Sequence, residues 1–197
     1  STPTGLDIQN QSAPYFKKLS LELGGKNPNI IFADADLDLA VNESVRAAFT
    51  NQGEICLCGS RILVEDAIYD QFREAFVAKT KSLVTGDPNC LRSDLGALVS
   101  ASHRDKVMSY INMAIDTGGE ILCGGGEPIV AEHLEGGYYL SPTVIEGLPQ
   151  SSAIIQNEIF GPVVTLQSFS DESEALNMAN DTAFGLSASI WTSDVSR

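Results

Sequence analysis

Asn29-Ile30-Ile31-Phe32-Ala33-Asp34-Ala35-Asp36, read on through Val64, is the stretch that decides the fold. Asn29, Ile30, Ile31 and Phe32 form a short, mostly apolar run of strand length, closed by the Ala-Asp-Ala-Asp that follows. A carboxylate from Asp34 or Asp36 can accept the free N–H groups of a helix's first turn. Leu37, Val41, Val45, Ala48 and Phe49 then recur on one helical face, which predicts an amphipathic helix ending near Thr50. Residues 60–64 read as the next strand. A strand, a crossover helix and a second strand are the repeating unit of a parallel sheet.

The same alternation continues outward. Upstream, residues 18–23 alternate apolar and polar and predict a half-exposed strand, stopped by Gly24 and Gly25. Downstream, residues 65–83 predict a helix with Ile68, Phe72, Ala75 and Phe76 inward, broken by Gly86-Asp87-Pro88. Residues 102–117 repeat the helical period through Val107, Tyr110, Ile111, Ala114 and Ile115, and Gly118-Gly119 ends it. Residues 120–123, 138–144, 163–169 and 187–191 are predicted strands, and residues 172–180 a last helix. Gly124 to Gly137 reads as a long loop. This order predicts an α/β fold, a three-layer domain with a mostly parallel sheet flanked by helices.

Composition narrows the function classes. Of 197 residues, 43% are hydrophobic and 19% charged, enough to bury a sizeable core. Asp and Glu outnumber Lys and Arg by 26 to 12, and no basic cluster interrupts the net charge of −14. Nucleic acid and an anionic membrane surface are therefore poor partners. No apolar run approaches the ~20 residues of a membrane span. Four cysteines are too sparse for a disulfide scaffold, which points to free thiols in the cytoplasm or the mitochondrial matrix. The opening Ser-Thr-Pro-Thr-Gly has no initiator Met and no secretory pattern, so the chain is expected to be a piece of something longer.

Three residues invite a chemical reading. Glu22 lies between two leucines, where the ordinary outcome is a solvent-facing carboxylate, but Gly24 and Gly25 let a ligand or another backbone approach closely. A partly desolvated carboxylate beside such a gap can act as a general base. Cys56 follows a helix that ends near Asn51-Gln52-Gly53, which places it on a loop. There it is either a packed thiol or a thiolate nucleophile. Cys56 and Cys58 with the distant His103 and His133 do not make the four-ligand set of structural zinc, so no metal is expected. Glu158, next to Phe160 and Gly161, is either a solvated turn residue or a carboxylate able to hold a pair of sugar hydroxyls. Gly124-Gly125-Gly126 lacks the frame of a phosphate loop and reads as a flexible turn.

Taken together, these segments resemble the aldehyde dehydrogenase superfamily. Leu21-Glu22-Leu23-Gly24-Gly25-Lys26-Asn27-Pro28 is similar to the family's glutamate motif, and Asn51-Gln52-Gly53-Glu54-Ile55-Cys56 to its cysteine motif. Asn157-Glu158-Ile159-Phe160-Gly161-Pro162-Val163 resembles a third signature. Gly86-Asp87-Pro88, Leu95 to Ser100, Pro142-Thr143-Val144 and Phe184-Gly185-Leu186 fill the intervals in order. The wording Glu-Ile-Cys-Leu-Cys, with Lys17-Lys18-Leu19-Ser20, is most similar to the branch acting on 2-aminomuconate semialdehyde.

The resemblance implies that Cys56 attacks an aldehyde as thiolate and that Glu22 activates the water that hydrolyses the resulting thioester. It implies cofactor contacts from Ser1 at the pyrophosphate, Leu23 at the carboxamide, Glu158 at the nicotinamide ribose and Phe160 beside the ring. The cofactor is NAD, with NADP as the alternative, and the substrate a small aldehyde. Residues 1–23 correspond to the tail end of the cofactor-binding domain, as a turn, a helix and a strand, and residues 24–197 to the catalytic domain without its C-terminal segment. The parent is expected to be a homodimer or homotetramer, and the isolated piece inactive. A coenzyme-A-acylating relative typically lacks the glutamate that Glu22 supplies. The other rival is a non-catalytic structural or assembly module on the same fold.

Overall fold

The computed structural model describes residues 1–197. Its elements in chain order are α1 (Thr2–Ser12), β1 (Pro28–Ile31), α2 (Leu37–Phe49), β2 (Arg61–Glu65), α3 (Tyr69–Lys81), α4 (Ala101–Asp116), β3 (Glu120–Cys123), β4 (Thr143–Glu146), α5 (Ala153–Gln156), β5 (Val163–Phe169), α6 (Glu172–Asn180) and β6 (Ser189–Trp191). The six strands form one sheet in the order β3-β4-β5-β2-β1-β6. Every pairing is parallel except that of edge strand β3 with β4. No helix is long and apolar enough to cross a membrane.

Strand alternation sorts side chains onto the two faces. Ile31, Ile62, Val64, Val144, Val164 and Leu166 pack on one face against α2 and α3, where Phe49 and Phe72 each stack on Phe76. Ile145 and Val163 face the other way, under α4 and α5, with Val107, Ile111, Ile154 and Ile155. Ile30, Leu63 and Phe169 pack on Ala175 of α6. The expected three layers are therefore present. Helix starts follow their caps: Asp36 Oδ1 accepts the Leu39 N–H at 3.0 Å, the Ser100 hydroxyl caps α4, and Asp171 Oδ1 accepts the Glu174 N–H at 2.9 Å.

The structure corrects several expectations. Residues 18–23 are not a strand: no neighbouring strand offers hydrogen bonds to them, and Leu19 and Leu21 stand exposed. Pairing in the 138–144 region begins only at Thr143, because Pro142 has no N–H and the Tyr138 carbonyl instead accepts from Leu98. β6 starts at Ser189, since the Ser187 N–H goes to Asn27 Oδ1 at 3.1 Å. Residues 66–68 form a separate 3-10 turn ahead of α3. The four-residue α5 was not expected.

Candidate active site

Three segments meet at the amino ends of β1, β2 and β5: the glycine pair before Pro28, the loop of residues 51–60, and the turn before Val163. Ligand crevices of open α/β sheets ordinarily lie at the carboxyl ends, so the placement is inverted relative to that rule. Asn27 ties the first two segments together. Its Nδ2 donates to the carbonyls of Cys56, at 2.7 Å, and Cys58, at 3.0 Å.

Close backbone approach explains the glycines. A Cβ on Gly24 would fall 2.1 Å from Glu158 Oε2, and one on Gly25 would fall 2.9 Å from the Cys56 carbonyl oxygen. Gly53 has φ +71°, and a Cβ there would fall 2.2 Å from the Gly161 carbonyl oxygen. The chain reaches that point through Asn51 and Gln52, both left-handed, and Gln52 Oε1 accepts the Gly96 N–H at 2.9 Å. The helix thus ends at Phe49 in a tight reversal that carries Cys56 onto a loop.

Ser1, Glu22, Leu23, Cys56, Glu158 and Phe160 line one cavity of about 350 Å³. All six residues singled out from the sequence are brought together there. Glu22 is exposed, Cys56 and Glu158 are half-buried, and Glu158 Oε1 accepts the Gly25 N–H at 3.2 Å. His103 and Lys106 of α4 complete the wall, and the sequence reading assigned neither to it. Polar residues on an amphipathic helix look solvent-facing, and the only available signal was their shared face at a spacing of one turn.

Two buried cations, Lys26 and Arg61, line a separate cavity. Lys26 is buried with no partner for its Nζ, and burial, then the nearby Arg61, pushes its pKa down to about 7, with Glu158 opposing. Arg61 is fully buried but well satisfied. Its Nε donates to the Lys26 carbonyl, and its Nη atoms to the last-turn carbonyls of α6 at Met178 and Ala179. Burial raises the thiols of Cys58 and Cys123, whereas hydrogen bonding to Arg92 lowers that of Cys90. No group of three or more His, Cys, Asp or Glu side chains is placed to hold a metal ion.

The aldehyde dehydrogenase family profile matches residues 1–197. The chain belongs to the aldehyde dehydrogenase family. It is 48% identical over 199 residues to the 2-aminomuconic semialdehyde dehydrogenase of Danio rerio, covering 100% of this chain and 41% of that relative. The human protein of the same name is 45% identical with the same coverage. The betaine aldehyde dehydrogenase of Bacillus subtilis (strain 168) is 41% identical, over 98% of this chain and 39% of its own length. Among solved structures, betaine aldehyde dehydrogenase from Staphylococcus aureus in complex with NAD+ superposes with a TM-score of 0.94 at 39% identity, over 98% of this chain and 38% of that one. This aldehyde dehydrogenase chain thus spans about two fifths of the length of the relatives it matches.

Proposed function

We propose that the chain carries the thiol-bearing part of an NAD(P)-dependent aldehyde dehydrogenase that converts an aldehyde to its acid through a thioester on Cys56. The observation that carries this reading is the single cavity holding Cys56 and Glu22 beside Glu158 and Phe160. The Cys56 thiolate adds to the carbonyl carbon to give a thiohemiacetal. No backbone acceptor takes the Cys56 N–H, which leaves it free to donate to the developing oxyanion. Loss of hydride from that carbon leaves the thioester. Glu22 then takes a proton from water as it attacks the thioester, and the acid departs as the thiol is restored.

The residues present fit a nicotinamide cofactor. Gly24 lets the Glu158 carboxylate stand at the cavity wall, and the Gly25 N–H engages only one oxygen of Glu158, so the other is available to ribose hydroxyls. Phe160 is partly exposed at the cavity, and Ser1 and Leu23 line it too. When bound, the cofactor supplies the hydride acceptor. Glu22 favours hydrolysis over transfer to a thiol. In this reading residues 1–23 end a cofactor-binding domain, in keeping with an α1 whose single buried residue is Gly5. The similarity to 2-aminomuconic semialdehyde dehydrogenases makes an unsaturated semialdehyde acid the favoured substrate class.

Limited alkylation with iodoacetamide at near-neutral pH, read by peptide mass spectrometry, tests the assignment of Cys56. Cys56 is expected to label well ahead of the buried Cys58 and Cys123, with the polar-loop Cys90 as the reactive control. Labelling of Cys56 as slow as that of Cys58 and Cys123 would overturn it.

A further inference from the structure

His103 sits in the first turn of α4, where the Ser100 hydroxyl accepts its N–H at 3.2 Å. Its Nε2 lies 2.6 Å from the Phe160 carbonyl oxygen and 3.4 Å from Glu54 Oε1. Both neighbours are acceptors, so Nε2 carries the hydrogen. The two side chains are only 15% and 10% exposed. Glu54 Oε1 also accepts the Val99 N–H at 3.3 Å, and Glu54 stands on the cysteine loop just ahead of Cys56.

Phe160 has a φ of 61°, a left-handed conformation that a bulky side chain does not choose by itself. The turn is therefore held from outside. Lys106 Nζ donates to the Ile159 carbonyl at 3.3 Å, and His103 holds the next carbonyl, that of Phe160. Gly161 then presses on α4 so closely that a Cβ would fall 2.7 Å from Val107 Cγ2. Successive residues of the turn are latched to one helix, and Glu54 extends that latch to the cysteine loop.

We infer that His103 is a positioning residue which, with Glu54, locks the Phe160 turn to the cysteine loop and so sets where Glu158 and Phe160 stand relative to Cys56. Its consequence for catalysis rests on the function proposed above, but the latch is a property of this chain alone. Nitrogen-15 NMR of the histidine rings reads the tautomer, and amide hydrogen exchange reads the turn. Two amides report it: Val163, bonded to the Gly161 carbonyl at 2.7 Å, and Gly25, bonded to Glu158 Oε1.

The expected results are a His103 ring protonated at Nε2, and exchange of both amides faster by about tenfold in His103→Leu with little change in melting temperature. His103→Gln, which keeps a donor in place, should restore protection. Glu54→Gln should give a smaller effect, and adding it to His103→Leu should change little further, the signature of one shared interaction. An Nδ1-protonated ring, equal exchange in the Leu and Gln variants, or fully additive effects would each overturn the inference. If His103→Leu does not fold, the ring tautomer and the amide exchange of Glu54→Gln, with His103→Gln as the protected control, decide it. None of these readouts involves thiol reactivity, so an inert Cys56 would count against the proposed function while leaving the latch standing.

Discussion

At the scale of single residues, the site is shaped by what is missing as much as by what is present. Gly24 has no Cβ because one would overlap Glu158 Oε2 at 2.1 Å. Gly24→Ala is expected to push the carboxylate off the Gly25 N–H and to destabilise the chain by about 1–2 kcal/mol. Denaturant unfolding together with Gly25 amide exchange checks both parts, and an unchanged Gly25 amide would refute the explanation. Lys26 presents the opposite case, a charge-bearing group with nothing to hold its proton. Its pKa falls from 10.5 to about 7, so between those values the unfolded chain keeps a proton that the folded chain has released. Stability then rises with pH across that window. Lys26→Met should be the more stable protein at the lower end of the window, with its advantage shrinking by roughly 2 kcal/mol or more toward the upper end. Parallel stability profiles for the two proteins, measured by denaturant unfolding, would contradict this. The glycine pair announced a close approach in the sequence, but neither the partner at Gly24 nor the state of Lys26 was readable there, because both depend on Glu158 and Arg61, far along the chain.

At the scale of elements, Arg61 shows how a strand and a helix end are coupled. The last carbonyls of a helix have no partner within it, and for α6 the Arg61 guanidinium accepts that role at Met178 and Ala179, both at 2.7 Å. The same side chain reaches the Lys26 carbonyl at 2.9 Å, so β2, α6 and the segment leading into β1 share one cation. Arg61→Met is expected to cost about 3–5 kcal/mol, and Arg61→Lys most of it, since one ammonium cannot serve carbonyls spread along a planar fork. Thermal unfolding of both variants tests this, and a lysine variant as stable as the parent would refute the geometric explanation. The elements themselves were largely legible. α2 begins at Asp36, one of the two caps the sequence offered, and β3 and β5 fall at the predicted residues 120–123 and 163–169, while the Ser100 and Asp171 caps of α4 and α6 emerged from the structure. Residues 18–23 show the limit of such reading. Alternation states which side chains could share a face, but a strand exists only where a neighbour supplies its hydrogen bonds.

At the scale of the whole molecule, the cavity is bounded on one side by residues that pack little. α1 and the segment through Leu21 are mostly exposed, with Leu6, Tyr15, Phe16, Leu19 and Leu21 facing outward. Since the chain spans about two fifths of its relatives' length, the isolated chain is expected to form no NADH from an aldehyde and NAD+. Spectrophotometric assay alongside a full-length relative decides the point, and a comparable rate from the isolated chain would overturn the expectation. Cys56 should nonetheless keep its reactivity, because the contacts that place its loop, from Asn27, Gln52 and Glu54, all lie within these residues.

The sequence by itself determined the α/β alternation, the cap at the start of α2 and the choice of Glu22, Cys56 and Glu158 as candidate residues, since each follows from local periodicity, local hydrogen bonding or side-chain type. The tertiary structure alone decided the strand order, the inverted position of the cavity at the amino ends of the strands, and the recruitment of His103 and Lys106. It also decided that Lys26 would be stranded and Arg61 satisfied. These are properties of contacts between segments far apart in the chain, and no local pattern encodes the partner that a buried polar group will meet.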